Sequence, residues 1–233
     1  MESKRRWKKS IKNCSLISHY HPKSPVAEQY RTIRSNIHFA SLDNEMCVIT
    51  LTSASPGEGK STTATNLAII LAQQGKKVLL IDADMRKPSS HFTFRADNFS
   101  GLSTVLINKI PLEDVIYDTP IPNLHLLTCG PIPPNPAELL SMLRMDWLLS
   151  EVRKQFNYVI IDTPPILSVT DAQILGDKSD GIILVVSSGQ TDKRSAKKAK
   201  DLLLQTRGNL LGVVLNKKKD VGYHYYYEEN SYK

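Results

Sequence analysis

Residues 54–62 read Ala54-Ser55-Pro56-Gly57-Glu58-Gly59-Lys60-Ser61-Thr62, between an apolar run, Val48–Leu51, and a helical pattern from Thr62 to Gln74. The order is strand, glycine-bearing turn, helix. It follows the phosphate-loop pattern G-x-x-x-x-G-K-[ST], with Ala54 in place of the first glycine. In such a loop backbone N–H groups wrap phosphate oxygens, the lysine reaches the outer phosphates and the next hydroxyl holds Mg²⁺. Lys60 and Ser61 fill those two roles, and Gly57, Glu58, Gly59 and Thr62 complete the binding stretch. Two glycines let the backbone approach an anion without a Cβ in the way, and the helix opening at Ser61 adds the positive end of its dipole. The alternative is an ordinary glycine-rich turn. Against it, Ala64, Leu67, Ala68 and Leu71 fall at i, i+3, i+4 and i+7, and Gly75 closes the helix.

A chain of 233 residues suits one large α/β domain with tails. The net charge is +7, but Lys4, Arg5, Arg6, Lys8, Lys9 and Lys12 against Glu2 put +5 of it in residues 1–12. The basicity therefore belongs to an arm, residues 1–23, which is polar, nonperiodic and expected to be disordered. With Trp7 among its charges, the arm can alternatively lie on an anionic membrane leaflet. Cys14, Cys47 and Cys129 are odd in number and lack metal spacing, which points to a reducing cytosol. The longest apolar runs are strand-sized, and no apolar segment follows the basic start, so the expectation is neither secretion nor a membrane span.

Charged residues cluster where apolar strands stop. Val78–Ile81 runs into Asp82-Ala83-Asp84-Met85-Arg86, and Tyr158–Ile161 into Asp162-Thr163-Pro164-Pro165. In open parallel sheets ligands bind beyond the carboxyl ends of strands, so Asp82, Asp84, Arg86 and Asp162 would face phosphates held by Lys60. A single strand-end aspartate is more often a cap or turn former. Three of them together with a phosphate loop are better read as a site. Further strands are expected at Leu124–Leu127, Gly181–Ser187 and Leu210–Leu215. Helices are expected at Ser24–Ala40, Leu102–Asn108, Leu112–Ile116, Ala137–Phe156, Asp171–Leu175 and Asp192–Thr206, with a stiff proline-rich loop over 130–136. Continuous apolar strands alternating with helices specify a mainly parallel sheet with helices on both faces. Asn216, after the last strand, is placed near a base, weakly favouring adenine because the guanine-reading N-K-x-D is absent.

Two features fall outside this scheme. In the first helix Glu28, Arg31 and Arg34 share a face, as a solvated intrahelical pair or as an oligomer contact. Residues 217–233 hold Tyr223, Tyr225, Tyr226, Tyr227 and Tyr232, five of the nine tyrosines, with no Leu, Ile or Val after Val221. That composition suits an accessible tail better than an aromatic edge strand.

Taken together, P-G-E-G-K-S-T, D-A-D-M-R, I-I-D-T-P-P, E-Q-Y-R-T-I-R and the terminal tyrosines resemble a bacterial tyrosine kinase (BY-kinase) of the single-chain cytoplasmic Gram-positive type. The resemblance runs from about Ser24 to the C-terminus and implies a P-loop NTPase fold with a kinase domain over 24–216. It assigns Lys60 and Ser61 to Walker A, Asp82 and Asp84 to Walker A′, Asp162 to Walker B, and Glu28, Arg31 and Arg34 to a ring-forming contact. It implies ATP and Mg²⁺ as ligands, autophosphorylation of the tyrosine tail, a role in capsule or exopolysaccharide synthesis, and protein-tyrosine substrates rather than nucleic acid. On that reading Ser61, Asp162 and Asp84 hold Mg²⁺, Asp82 is the base for the tyrosine hydroxyl, and Arg86 stands either near the transferring phosphoryl group or paired with an acid. It also implies recruitment to the inner face of the plasma membrane by a transmembrane activator of the polysaccharide chain-length family. ParA-like partition ATPases share the fold and are the rival reading, but they carry a signature lysine where this chain has Ser55. A third reading is an inactive scaffold that uses ATP only to order its interface. On the loop position of Lys60, Lys60→Met is expected to fold normally.

Overall fold

A computed structural model describes residues 16–40 and 46–218. The tyrosine cluster, Cys14 and most of the basic arm lie outside these residues. The described chain starts with a short helix, α1 (Ile17–Tyr20), where the sequence pattern suggests the arm still continues. Its anchor is polar: the buried Ser18 N–H donates to Asn66 Oδ1 at 2.9 Å, and Gln73 Nε2 donates to the Ser18 carbonyl at 3.0 Å. No periodicity marks a four-residue helix held by two side-chain amides.

The next elements are α2 (Pro25–Ala40), β1 (Val48–Ser53), the phosphate-loop helix α3 (Lys60–Ala72) and β2 (Val78–Asp82). Two five-residue helices, α4 (Ser90–Phe94) and α5 (Leu102–Leu106), lead to β3 (Ile116–Asp118) and β4 (Leu124–Leu127). Then come α6 (Pro136–Ser141), α7 (Leu143–Gln155), β5 (Tyr158–Asp162), α8 (Asp171–Asp177), β6 (Gly181–Ser187), α9 (Lys193–Leu203) and β7 (Asn209–Asn216). The strands form one sheet in the order β3-β4-β2-β5-β1-β6-β7, parallel except for the β3–β4 pair.

Helices cover both faces because alternate side chains of each strand serve different cores. Leu79 and Ile81 of β2 pack with α5 and α7, whereas Val78 and Leu80 pack with α3 and the α2 residue Ile37. In β6 the same alternation sends Ile183 and Val185 toward α3, and Ile182, Leu184 and Val186 toward α8 and α9. Glycine governs one edge: at Gly208 an added Cβ would meet the Gly176 carbonyl at 2.3 Å, so this return into β7 needs a residue without a side chain.

Two expected helices are corrected. Leu112–Ile116 is a turn that enters β3, and the β-branched and aromatic run Val115-Ile116-Tyr117 suits a strand. The helix expected over Ala137–Phe156 is two helices, broken at Met142 with ψ 149°. The buried positions explain the break. Leu139 and Leu140 precede it, Met145, Leu148, Leu149 and Val152 follow it, and in one unbroken helix Leu139 and Leu140 would lie on the face opposite the one these four bury.

Candidate active site

The carboxyl ends of β1, β2 and β5 deliver the loop after Ser53, Asp82 with the segment after it, and Asp162 to one edge of the sheet. Register dictates this convergence: Leu51 pairs with Asp162 across β1–β5, and Asp82 pairs with Asp162 across β2–β5. A cavity of about 630 Å³ opens there, lined among others by Gly57, Lys60, Ser61, Thr62, Asp84, Arg86 and Lys217.

The loop adopts left-handed backbone at Gly57 (φ 80°) and Gly59 (φ 97°). Gly59 is constrained twice, since an added Cβ would also lie 2.0 Å from Asn216 Nδ2. Gly59→Ala is therefore expected to lower nucleotide affinity by at least about 100-fold, because the loop must be displaced to relieve the clash; titration with ADP checks this.

Lys60, 9% exposed, is the centre of the site. Its Nζ lies 2.8 Å from Asp84 Oδ2, 3.4 Å from Asp162 Oδ1 and 3.2 Å from Ser61 Oγ. Burial works to strip its proton, but Asp162 and Asp84, with Asp82 behind them, outweigh burial and hold the ammonium protonated beyond its usual range. Asp162 is in the opposite situation. Burial, reinforced by Asp82 and Asp84, pushes its carboxyl up to about 6 despite Lys60 and a hydrogen bond from Ser61. Its Oδ2 is buried without a hydrogen-bond partner. One lysine thus faces three carboxylates, and one oxygen of that set has no partner. This is the setting a divalent cation fits: Mg²⁺ takes one or two carboxylates and completes its shell with a hydroxyl, water and phosphate. Among the described residues there is no group of three or more His, Cys, Asp or Glu arranged to bind a metal by themselves.

The remaining sequence-predicted residues fall into distinct settings. Asp82 is fully buried and accepts from Ser89 N (2.9 Å), Ser90 N (2.9 Å), Ser90 Oγ (2.5 Å) and Asp84 N (3.2 Å), so in the resting chain it shapes the segment 84–90. Arg86 lines the cavity, but its guanidinium forks onto the buried Asp171, with Nε and Nη2 each 3.1 Å from an oxygen; this is the acid pairing. Hydrogen bonding to Asp171 holds the guanidinium above its usual range. Glu58 turns its carboxylate away from a nucleotide-contacting role, accepting from Ser55 N at 3.0 Å and from Thr191 Oγ1, so only its backbone is left for phosphate. Asn216 reaches the loop rather than standing alone as a base reader: its Nδ2 donates to the Glu58 carbonyl at 2.9 Å. Away from the cavity, Arg31 pairs with Glu28 at 2.5 Å and donates to the Pro22 carbonyl at 2.7 Å, while Arg34 makes no ion pair among the described residues. Two participants lack a motif signal. Asp171 follows no strand, and Lys217 sits at the position assigned to the tail; the N-K dipeptide at 216–217 was the available clue for Lys217.

A mainly parallel α/β sheet with a phosphate loop between its first strand, β1, and the helix that follows defines a P-loop NTPase. The AAA domain family model matches residues 46–206. Tyrosine-protein kinase YwqD of Bacillus subtilis (strain 168) is 54% identical over 205 residues, 88% of this chain and 86% of the relative. The putative tyrosine-protein kinase CapB of Staphylococcus aureus is 43% identical over 92% of this chain and 96% of its own length. Among solved structures, the chimerical protein CapA2B2 aligns with a TM-score of 0.86 at 47% identity, covering 88% of this chain and 91% of the other. The chain belongs to the bacterial tyrosine kinases, and it is a nucleotide-binding protein-tyrosine kinase.

Proposed function

We propose that the chain uses Mg·ATP to phosphorylate its own C-terminal tyrosines, one subunit acting on its neighbour in a ring, and thereby regulates capsular or exopolysaccharide synthesis. The observation that carries this reading is the position of Lys217. The last strand ends at the wall of the cavity that the phosphate loop lines, so the segment bearing Tyr223, Tyr225, Tyr226, Tyr227 and Tyr232 starts at that cavity. Residues 217–233 span at most about 60 Å when extended, enough to enter a neighbour's cavity.

In this mechanism the loop backbone and Lys60 bind the phosphates. Ser61 and Asp162, with Asp84, would hold Mg²⁺, which supplies charge neutralisation on the phosphate oxygens. Phosphoryl transfer asks for little more than positioning and electrostatics. Asp82 is the base for the tyrosine proton, and taking it requires that Ser90 Oγ turn away. Arg86 stays with Asp171 and contributes positive potential at the cavity wall. Adenine is the favoured base.

Among the described residues no helix is long and apolar enough to cross a membrane. The proposal includes a separate transmembrane activator of the polysaccharide chain-length family that recruits the cytoplasmic kinase, built as a basic arm (1–23), a kinase domain (24–216) and a tail (217–233), to the inner membrane face. Glu28, Arg31 and Arg34 form the ring contact. Unphosphorylated, residues 217–233 carry +1; five phosphotyrosines would add about −8 to −10, so neighbouring tails would repel and the ring would dissociate.

A mixing experiment tests the reading. Lys60→Met protein, with an intact tail, is combined with protein in which all five tail tyrosines are phenylalanine, and Mg·ATP is added. Phosphotyrosine on the Lys60→Met chain is expected, and its absence under conditions where the wild type phosphorylates itself argues against transfer between subunits. Arg31→Ala with Arg34→Ala should elute as a monomer and reduce that transfer at least about tenfold, because it removes the encounter between subunits.

A further inference from the structure

Lys217 follows β7 and has a left-handed backbone (φ 55°), uncommon for a residue with a side chain. The turn is stabilised locally, since Lys217 N donates to Asn216 Oδ1 at 2.8 Å. It sends the lysine back across the sheet edge, where Nζ donates to the Gly57 carbonyl at 2.6 Å and to Gln190 Oε1 at 3.2 Å. Gln190 is itself held by Ser187 Oγ at 3.0 Å. Next to this contact Asn216 Nδ2 holds the Glu58 carbonyl. Two successive carbonyls of the phosphate loop are thus occupied by donors from the end of β7.

The consequence follows from peptide geometry. The chain has no cis peptide among the described residues, and in a trans peptide C=O and N–H point in opposite directions. Holding the Gly57 and Glu58 carbonyls fixes the direction of the Glu58 and Gly59 N–H groups. Glycine at 57, where an added Cβ would meet nothing within 4 Å, leaves that first peptide free to rotate unless something restrains it. If it rotated, a carbonyl oxygen would take the place of a donor in an anion cradle.

We propose that Lys217 is a positioning residue for the nucleotide phosphates: it keeps the 57–58 peptide in the orientation that presents N–H, and its charge adds to the potential at the cavity wall. The same residue forms the root of the tail, so loop and tail share one anchor.

Mg·ADP titration and ATP kinetics on the full chain test this. Lys217→Ala is expected to weaken Mg·ADP binding and raise KM for ATP about tenfold, with kcat changed less than about threefold and the melting temperature of ligand-free protein unchanged. Lys217→Arg, which can reach the same carbonyl, should restore ADP affinity to within about threefold of wild type. Unchanged ADP affinity in Lys217→Ala overturns the proposal, as does a loss confined to kcat, which would make the residue an anchor for the tail alone. Equal weakening in the alanine and arginine variants overturns it too.

Discussion

Asp162→Asn is expected to be inactive as a kinase and more stable than the wild type when no ligand is bound. The wild-type carboxylate is buried, faces two other acids, and has an oxygen without a partner. Its folded-state value of about 6 lies above the ordinary carboxylate value of 3.8. The sign follows from that direction: the unfolded state ionises first, so the stability contribution is complete below the ordinary value and is lost as pH rises through about 6. At neutral pH the group costs roughly 1–3 kcal/mol, which an amide of the same shape removes, raising the melting temperature by a few degrees. Phosphotyrosine formation should fall by at least about 1,000-fold, since the lost charge acts on the transferring phosphates. Thermal melts of both proteins without ligand, from pH 5 to pH 8, check it: the two curves should converge at the acid end. An asparagine variant less stable than wild type at pH 8 would mean that Asp162 has a partner in solution.

Lys60→Met is expected to abolish phosphotyrosine formation and to destabilise the fold, which corrects the expectation from its loop position. The side chain is buried between Asp84 and Asp162, so removing it leaves the acids without their counter-ion. The loss should be largest above pH 6 and should shrink toward pH 5, where Asp162 takes up a proton, because removing Lys60 removes the charge that opposes the upward shift. Urea unfolding at the two pH values measures this. Equal destabilisation at both would assign the effect to packing of the lysine stem.

These two residues show where sequence is sufficient and where it is not. The strand-loop-helix order around Gly57-Glu58-Gly59-Lys60-Ser61, and the aspartates at the ends of β2 and β5, are legible because phosphate binding demands local spacing and apolar runs mark the strands. That Lys60 lies between Asp84 and Asp162 depends on sheet order, which brings residues 24 and 102 positions away within 3.4 Å. The settings of Asp82 and Glu58 were hidden for a related reason: their partners Ser90 and Thr191 are hydroxyls with no pattern of their own. Arg86 was legible as a charge at the site, but Asp171 emerges only from a packed helix start. In the α6–α7 region the break was written in the spacing of Leu140 and Met145, which one continuous amphipathic pattern obscures. Lys217 was concealed by its neighbours, since a lysine run before a tyrosine-rich segment reads as the start of a tail.

The account rests on the Lys60, Asp84 and Asp162 cluster being a site that moves a phosphoryl group to tyrosine. The direct measurement follows the γ-phosphate of labelled Mg·ATP, with the whole chain and the cytoplasmic segment of the proposed activator present. Label is expected on tail tyrosines and to disappear in Asp162→Asn. Label released only as free phosphate, with unmodified tyrosines, would contradict it.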